Sequence, residues 1–303
     1  MITGQIALIK RELWEHRSLY LTPAVIALLL SLGTVTGQAT FSAFGHAVDL
    51  AMLGGANLGD NERAAAITAL MAIVSVFFVI GMWFLTIFYT LDALYAERKD
   101  RSILFWRSIP CTDFETVLSK LLTALFVVPL ITFGFVVVTH LVVLAISSIW
   151  ISFQGADVGH MIWSAAPLLD NWLATLAFLI AVPLWSAPFI GWFLFISAFT
   201  KRGPFMMAVL PLLILPMLEK ILIGSSIVAE AFYIRAWKMP LFKGMDPTDF
   251  FDQDSQSVPE AVSLLDMMDL SGFLISGSLW TGLIVCALFT TAAIYVRRYR
   301  DDS

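Results

Sequence analysis

Six long stretches of this sequence carry no charged side chain, and they limit what the chain can fold into more than any other feature. Their charged boundaries are Arg17 and Asp49, Arg63 and Asp92, Lys120 and Asp157, Asp170 and Lys201, Arg202 and Glu219, and Asp269 and Arg297. A helix of about 20 apolar residues crosses the roughly 30 Å of hydrocarbon in a bilayer. The sequence therefore predicts an all-α integral membrane protein with six transmembrane helices, at about residues 19–37, 64–91, 121–149, 172–199, 205–224 and 273–296.

The composition excludes the main alternatives. Hydrophobic residues make up 59% of the 303 residues and charged residues only 14%, whereas soluble domains average about 45–50% and about 25%. Disorder needs the opposite composition, and the strands of a membrane β-barrel alternate in polarity instead of giving long apolar runs. Two distant cysteines, Cys111 and Cys286, indicate neither a disulfide framework nor a zinc site. We expect one transmembrane domain over residues 1–303, with no metal.

The distribution of basic residues predicts how the chain is oriented. Thirteen Lys and Arg residues fall on the face that also holds both termini: Lys10, Arg11, Arg17, Arg98, Lys99, Arg101, Arg107, Lys120, Lys201, Arg202, Arg297, Arg298 and Arg300. The opposite face holds four: Arg63, Arg235, Lys238 and Lys243. Because cytoplasmic loops carry an excess of Lys and Arg, we expect both termini in the cytoplasm and the protein in the cytoplasmic (inner) membrane.

The segment before the first span, residues 5–18, has the pattern of an amphipathic helix. Apolar residues share one helical face and charged residues occupy the rest; the residues concerned are Ile6, Ile9, Leu13, Lys10 and Arg11. Such a helix lies in the headgroup plane, with its basic residues facing lipid phosphate. We therefore expect an interfacial helix that contacts membrane lipid. An ordinary polar start to the first span is the alternative.

Residues 225–272, between the fifth and sixth spans, form the longest stretch outside the predicted membrane. Aromatic residues near its start suit the outer membrane interface, where Trp and Tyr are enriched. The acidic residues that follow lack the DxDxDG spacing of a calcium loop. We expect a large outer segment whose acidic part is a solvated connector.

The loop at residues 92–120, between the second and third spans, is the most informative part of the sequence. The second span continues as helix beyond its membrane part, and a short amphipathic piece with exposed aromatic and basic groups follows. Pro110 then breaks the helix, and a new helix begins near Thr112 or Asp113, both good caps. This pattern predicts a helix–turn–helix that projects into the cytosol and can dock to a soluble partner. A generic basic loop is the alternative, but it gives no reason for Pro110.

This loop resembles the corresponding loop in the membrane subunits of type-2 ATP-binding cassette (ABC) exporters. The residues that match the family pattern are Glu97 and Arg98, Ser102 where the family has a threonine, Pro110, Glu115 and Lys120. The chain departs from that pattern at Arg101 and Ser119, where the family has glycines. The interfacial N-terminal helix, the six spans and the large outer segment also fit, so the resemblance covers essentially the whole chain.

The resemblance implies a function and a set of contact residues. The chain would be a permease subunit whose coupling residues contact the ATPase: Glu97, Arg98, Arg101, Ser102, Phe105, Trp106, Arg107 and Pro110. Residues 5–18 would be the connecting helix beside them. Two ATPase subunits would bind beneath the pathway. A second copy of this chain, or a similar permease, would complete the translocation pathway through the membrane.

The chain lacks the GxxxxGK[ST] motif that cradles nucleotide phosphates, and no catalytic constellation stands out. We therefore expect a transport subunit that is not itself an enzyme and binds no cofactor, with ATP and magnesium held by the partner ATPase. No nucleic-acid partner is expected. The aromatic content and the absence of a charged pathway favour a hydrophobic or amphipathic cargo, such as a drug, a peptide or a lipid.

Two other function classes stay open: an ion-coupled secondary transporter, and a non-transporting membrane scaffold or sensor. A secondary transporter uses acidic or histidine residues near the bilayer midplane. The candidates for a pathway or gate are His140, Glu219 and Lys220. Each also has a structural explanation, since His140 would be hydrogen-bonded between helices and the other two would reach the outer headgroups.

Overall fold

The computed structural model describes residues 2–35, 41–43, 46–48, 60–100, 111–153, 155, 157–164, 166–242 and 263–299. In these residues the helices are α1 (Ile2–Glu15), α2 (Ser18–Val35), α3 (Asp60–Ala93), α4 (Tyr95–Lys99), α5 (Asp113–Leu122), α6 (Val128–Phe153), α7 (Leu168–Trp185), α8 (Ala187–Phe199), α9 (Pro204–Leu222), α10 (Ile227–Trp237), α11 (Leu270–Ile275) and α12 (Gly277–Tyr299). A π-helical turn, Thr123–Val127, joins α5 to α6, and another spans Gly159–Trp163. Strands β1 (Phe41–Ala43) and β2 (His46–Val48) pair antiparallel, with Phe41 opposite Val48.

Six helical stretches are long and apolar enough to cross a membrane: Ser18–Val35, Arg63–Lys99, Asp113–Phe153, Met161–Trp185, Pro204–Leu222 and Gly277–Tyr299. Helices suit the bilayer because they satisfy every backbone N–H and C=O group within one segment. The prediction of an α-helical membrane protein with six spans is confirmed at this level. The short β1–β2 hairpin lies outside these spans and was not predicted.

The fourth predicted span, at 172–199, is two helices rather than one. α7 ends at Trp185 and α8 begins at Ala187, with Ser186 between them. Pro188 is the second residue of α8, where its missing N–H costs nothing, but it cannot continue a helix that arrives from α7. Pro183 lies inside α7, so two prolines flank the interruption at Ser186.

Helices α8 and α12 form the most extensive helix–helix contact in the described part of the chain. A Cβ atom on Gly191 of α8 would lie only 2.9 Å from both the Cα atom and the carbonyl oxygen of Cys286 in α12. The absence of a side chain at Gly191 therefore allows the two backbones to touch. The main hydrophobic core gathers around this crossing and includes Leu194, Tyr89 and Val128.

By contrast, α9 lies on the surface of the bundle. Of its residues only Ala208 and Glu219 are buried, and large apolar side chains such as Leu213 and Leu222 are exposed. This exposure suits a helix that faces lipid. Most of the acidic residues that the sequence predicted to form a solvated connector fall at 243–262, outside the described residues.

Both ends of the chain meet at one end of the bundle, which we call the terminal end. α1 packs against α5, and α12 finishes beside the same helix. The side chains of Arg11 and Arg297 both reach Glu97 there. The other end, where α9 is followed by α10, is called the far end.

Candidate functional site: a buried network of ion pairs

Glu12 of α1 and Lys120 of α5 form the centre of a buried charge network at the terminal end. Lys120 Nζ lies 2.8 Å from Oε1 and 3.0 Å from Oε2 of Glu12, and both side chains are fully buried. Tyr89 of α3 donates its hydroxyl to Glu12 Oε2 at 3.0 Å. Because burying a single unpaired charge costs several kcal/mol, Glu12 and Lys120 each require the other in the folded chain.

Glu97 of α4 accepts hydrogen bonds or ion pairs from three other elements. Its Oε1 lies 2.6 Å from Arg11 Nη2 and 3.0 Å from Lys120 Nζ. Its Oε2 lies 2.5 Å from Nη1 of Arg297, near the end of α12. Glu97 is only 5% exposed. One carboxylate therefore holds α1, α5 and the end of α12 in place around α4.

The start of α5 completes the network. Arg297 Nε donates to Asp113 Oδ1 at 2.9 Å, and Asp113 is the first residue of that helix. A capping box precedes it: Thr112 Oγ1 accepts from the Glu115 N–H at 3.1 Å, and Glu115 Oε2 accepts from the Thr112 N–H at 3.0 Å. The predicted helix start near Thr112 or Asp113 is confirmed. Two helical turns separate Asp113 from Lys120, so both residues face the network.

His16, between α1 and α2, borders the network. Its Nε2 lies 3.9 Å from Glu12 Oε2, and its ring packs edge-on against Tyr89 with centroids 5.1 Å apart. Burial lowers the pKa of His16, although the Glu12 carboxylate acts in the opposite direction. Burial also acts to lower the pKa of Arg11, but the hydrogen bond to Glu15 and the nearby carboxylates outweigh it and raise that pKa.

The same region brings three potential metal ligands together. Glu12, Glu15 and His16 each offer a ligand atom, and these atoms lie within 4.8 Å of one another. The ammonium of Lys120, however, already bonds both oxygens of Glu12. A metal ion would have to displace that buried cation, so we assign no metal to these residues.

Arg98, the neighbour of Glu97, connects α4 to the end of α8. It donates from Nη2 to the carbonyl oxygens of Ser197 at 2.5 Å and Thr200 at 2.8 Å. Ser197 Oγ in turn accepts from the backbone N–H groups of Leu94 and Tyr95, each at 3.0 Å. A cation at a helix C-terminus is favourable because the last carbonyls lack helical partners. The broken fourth span is thereby tied to the second span at the terminal end.

The predicted coupling residues divide into two groups. The resemblance implies that Glu97 and Arg98 contact the ATPase, and in the structure both make the contacts within the chain described above. The remaining predicted coupling residues lie outside the described residues: Arg101, Ser102, Phe105, Trp106, Arg107 and Pro110. Whether any of them contacts an ATPase stays a prediction.

The N-terminal helix is present, but its faces differ from the predicted ones. The residues turned into the protein are Leu8 and Glu12, four positions apart, while Arg11 reaches Glu97. Ile6, expected on one apolar face with Ile9 and Leu13, is 60% exposed and shares the outward face with Lys10 and Trp14. Ile9 and Leu13 are half-buried. A pattern based on hydrophobicity alone assigns a charged residue such as Glu12 to the outward face, and it fails here because the partner, Lys120, lies 108 positions away.

Of the three candidate pathway residues, His140 lies on a different helix from Glu219 and Lys220, which are neighbours in α9. His140 of α6 is buried, with Nε2 3.0 Å from the Met71 carbonyl oxygen and 3.4 Å from Ser75 Oγ of α3. Glu219 accepts from the Ile227 N–H at 2.8 Å and so caps the start of α10, instead of reaching towards headgroups. Lys220 is exposed. The structure therefore does not bring His140 together with Glu219 and Lys220.

The sequence did not identify Glu12, Asp113 and Arg297 as site residues, and it singled out Lys120 only for its place in the family pattern and among the basic residues of one face. One signal was available: Glu12 shares a helical face with Leu8, and a carboxylate on a buried face requires a cation. The partner itself could not be chosen, because 108 positions separate Glu12 from Lys120 and 200 separate Glu97 from Arg297.

No protein-family model, no curated protein and no solved structure matches the chain. The chemistry of the described residues is therefore the basis for interpreting the site. Six Asp, Glu, Lys and Arg side chains in the described part of the chain are buried, and four of them belong to the network: Glu12, Glu97, Lys120 and Arg297.

Proposed function

We propose that this chain is the transmembrane permease subunit of an ATP-driven ABC exporter for a hydrophobic or amphipathic cargo, such as a drug, a peptide or a lipid. The observation that carries the proposal is the position of Glu97. It lies just before the loop at 101–110 that resembles an ATPase-docking element, and it bonds cations from three other elements. A displacement of that loop by the ATPase would therefore displace several helices at once.

In this proposal, two ATPase subunits bind ATP and magnesium and close on each other beneath the membrane. The chain itself binds no nucleotide. The loop moves with α4, and the network carries the movement to α1, α5 and α12, while Arg98 carries it to α8. Removing one partner of a buried ion pair costs about 3–5 kcal/mol, so these helices are expected to move as one unit. A second permease copy, or a similar permease, completes the pathway.

The orientation follows from the same proposal. Both termini and the network lie in or near the cytoplasm, as the excess of basic residues on that face favours. The exposed face of α1, with Lys10 and Trp14 in cation–π contact at 5.1 Å, then meets the lipid headgroups of the inner leaflet.

An ion-coupled secondary transporter is supported less well by the described residues. Such a carrier needs a titratable group that faces the pathway. His140 is hydrogen-bonded to the Met71 carbonyl oxygen on a neighbouring helix. The Glu219 carboxylate caps the start of α10. Neither residue is arranged to bind and release an ion. A scaffold or sensor role has no specific observation in its favour.

Co-purification and ATP hydrolysis test the proposal. The chain is co-expressed with ABC ATPase subunits encoded near its gene, purified through a tag on the chain, and reconstituted in liposomes. We expect a complex with two ATPase subunits whose hydrolysis rate differs from that of the ATPase alone. An ATPase variant that lacks its P-loop lysine serves as the control for background hydrolysis. A chain that purifies without the ATPase and leaves hydrolysis unchanged would contradict the proposal.

A further inference from the structure

At the far end, α10 folds back against the bundle from the end of α9. Glu219, near the end of α9, accepts from Ser225 Oγ at 2.6 Å and from the N–H groups of Ile227 and Val228, both at 2.8 Å. The carboxylate thus occupies the positive end of α10. Glu219 anchors the start of α10. The other end of α10 is held by different contacts.

Those contacts come from Arg235, in the last turn of α10. Arg235 Nη1 donates to the Trp185 carbonyl oxygen at 3.1 Å, at the point where α7 breaks off. Nη2 donates to the carbonyl oxygen of Ser278 in α12. The guanidinium also stacks over the Trp185 ring, with Cζ 4.4 Å from the centroid, and the indole N–H donates back to the Arg235 carbonyl at 2.9 Å. Arg235 therefore caps the first half of the broken span and ties it to α12.

Arg235 differs from Lys120 in the kind of partner that holds it. Lys120 is buried between two carboxylates. Among the described residues, the acceptors of Arg235 are two backbone carbonyls and an aromatic ring, and no carboxylate lies within ion-pair distance. A carbonyl oxygen carries only a partial negative charge, so it attracts a guanidinium less strongly than a carboxylate does at the same distance. The contact at the far end is therefore easier to release than the network at the terminal end.

A groove opens beside the break in the fourth span. It runs between α3 and the two halves of that span, and Trp83, Thr86, Pro183, Ser186 and Phe189 are among the residues that line it. Phe232 of α10 packs against Phe189, with ring centroids 5.8 Å apart. The helix that Arg235 holds in place therefore contacts Phe189, a residue that lines this groove.

We propose that α10 is a latch over the groove and that Arg235 is its releasable catch. When the guanidinium leaves the carbonyls of Trp185 and Ser278, the end of α10 moves away while Glu219 keeps its start attached. The groove at Ser186 then opens towards the far end. The proposal concerns the chain alone and holds whether or not an ATPase drives it.

Reactivity of a cysteine in the groove tests the latch. The reporter is Ser186→Cys in a background of Cys111→Ser and Cys286→Ala, and the protein is held in lipid nanodiscs and labelled with a membrane-impermeant maleimide. Two variants release the catch by different routes. Arg235→Ala removes the guanidinium, and Gly282→Ala adds a methyl group whose carbon would lie 2.5 Å from Arg235 Nη2. Gly277→Ala is the matched control, because nothing lies within 4 Å of its added methyl.

We expect Arg235→Ala and Gly282→Ala to speed labelling about tenfold, because that is the effect of losing one or two hydrogen bonds. The Gly277→Ala variant should label at the same rate as the reporter protein without a further substitution. Folding is checked by size-exclusion chromatography and helical circular dichroism. Folded variants that label at the control rate would overturn the proposal. If Arg235→Ala does not fold, Gly282→Ala decides. If neither variant folds, Arg235 is a fixed structural cap and the latch is disproved.

Discussion

Lys120 Nζ contacts both carboxylate oxygens of Glu12, at 2.8 Å and 3.0 Å, and neither side chain reaches solvent. The pair joins the N-terminal helix to the start of the third span. Together with Glu97 it connects α4 to α1, to the start of the third span and to the last span. Charged groups at this depth are stable only as partners, which makes the network a sensitive place for substitutions.

Replacing Lys120 by methionine should destabilise the protein by about 3–5 kcal/mol, because Glu12 is left as a buried charge without its main partner. The measurement is chemical or thermal unfolding in detergent. The double variant Lys120→Met/Glu12→Leu should recover most of the loss, since an apolar pair of similar volume replaces the ion pair. A single variant as stable as the starting protein would show that the pair contributes nothing.

Replacing Gly191 by alanine should lower the unfolding temperature. The added methyl carbon would lie 2.9 Å from two backbone atoms of Cys286, which cannot move without separating α8 from α12. Overpacking of this kind costs about 1–3 kcal/mol. Gly134→Ala in α6 is the control, because nothing lies within 4 Å of the new methyl. Equal unfolding temperatures for the two variants would refute the tight crossing.

Replacing Ser197 by alanine should also destabilise the chain. Its hydroxyl accepts from two backbone N–H groups at Leu94 and Tyr95, and both lose that acceptor at a turn where the helical bonds are interrupted. An unsatisfied buried donor costs about 1–3 kcal/mol. Ser148→Ala is the control, since Ser148 only donates to the carbonyl one turn earlier in its own helix. Unfolding midpoints in denaturant should separate the two variants, and identical midpoints would contradict the prediction.

The spans were predictable from the sequence because a charge-free run of sufficient length reports directly on burial in lipid. Pro183 and Pro188 flank the break at Ser186, but a proline in a membrane helix produces either a kink or a break, and tertiary contacts decide which. Arg235 lies 50 positions from Trp185, so its capping role depends entirely on the folded arrangement.

The candidate site was only partly predictable for the same reason. Glu97 and Arg98 were expected to contact an ATPase, which stays a prediction, and their contacts with Arg297 and Ser197 were not predicted. Local pattern identifies a charged residue at the end of a helix. It does not tell whether that charge faces solvent or a cation from a distant part of the sequence, such as Arg297.

The central claim is that Glu97 and Arg98 transmit the movement of an ATPase to the membrane helices. The most direct measurement is ATP hydrolysis and ATPase binding by the reconstituted complex with Glu97→Ala/Arg98→Ala in the chain. Glu230→Ala/Lys238→Ala, which removes two exposed charges at the far end, is the matched control. We predict that the first variant inserts into the membrane but binds the ATPase more weakly or no longer changes its hydrolysis, while the control behaves like the starting protein. Full ATPase binding and an unchanged effect on hydrolysis in the Glu97→Ala/Arg98→Ala variant would contradict the claim.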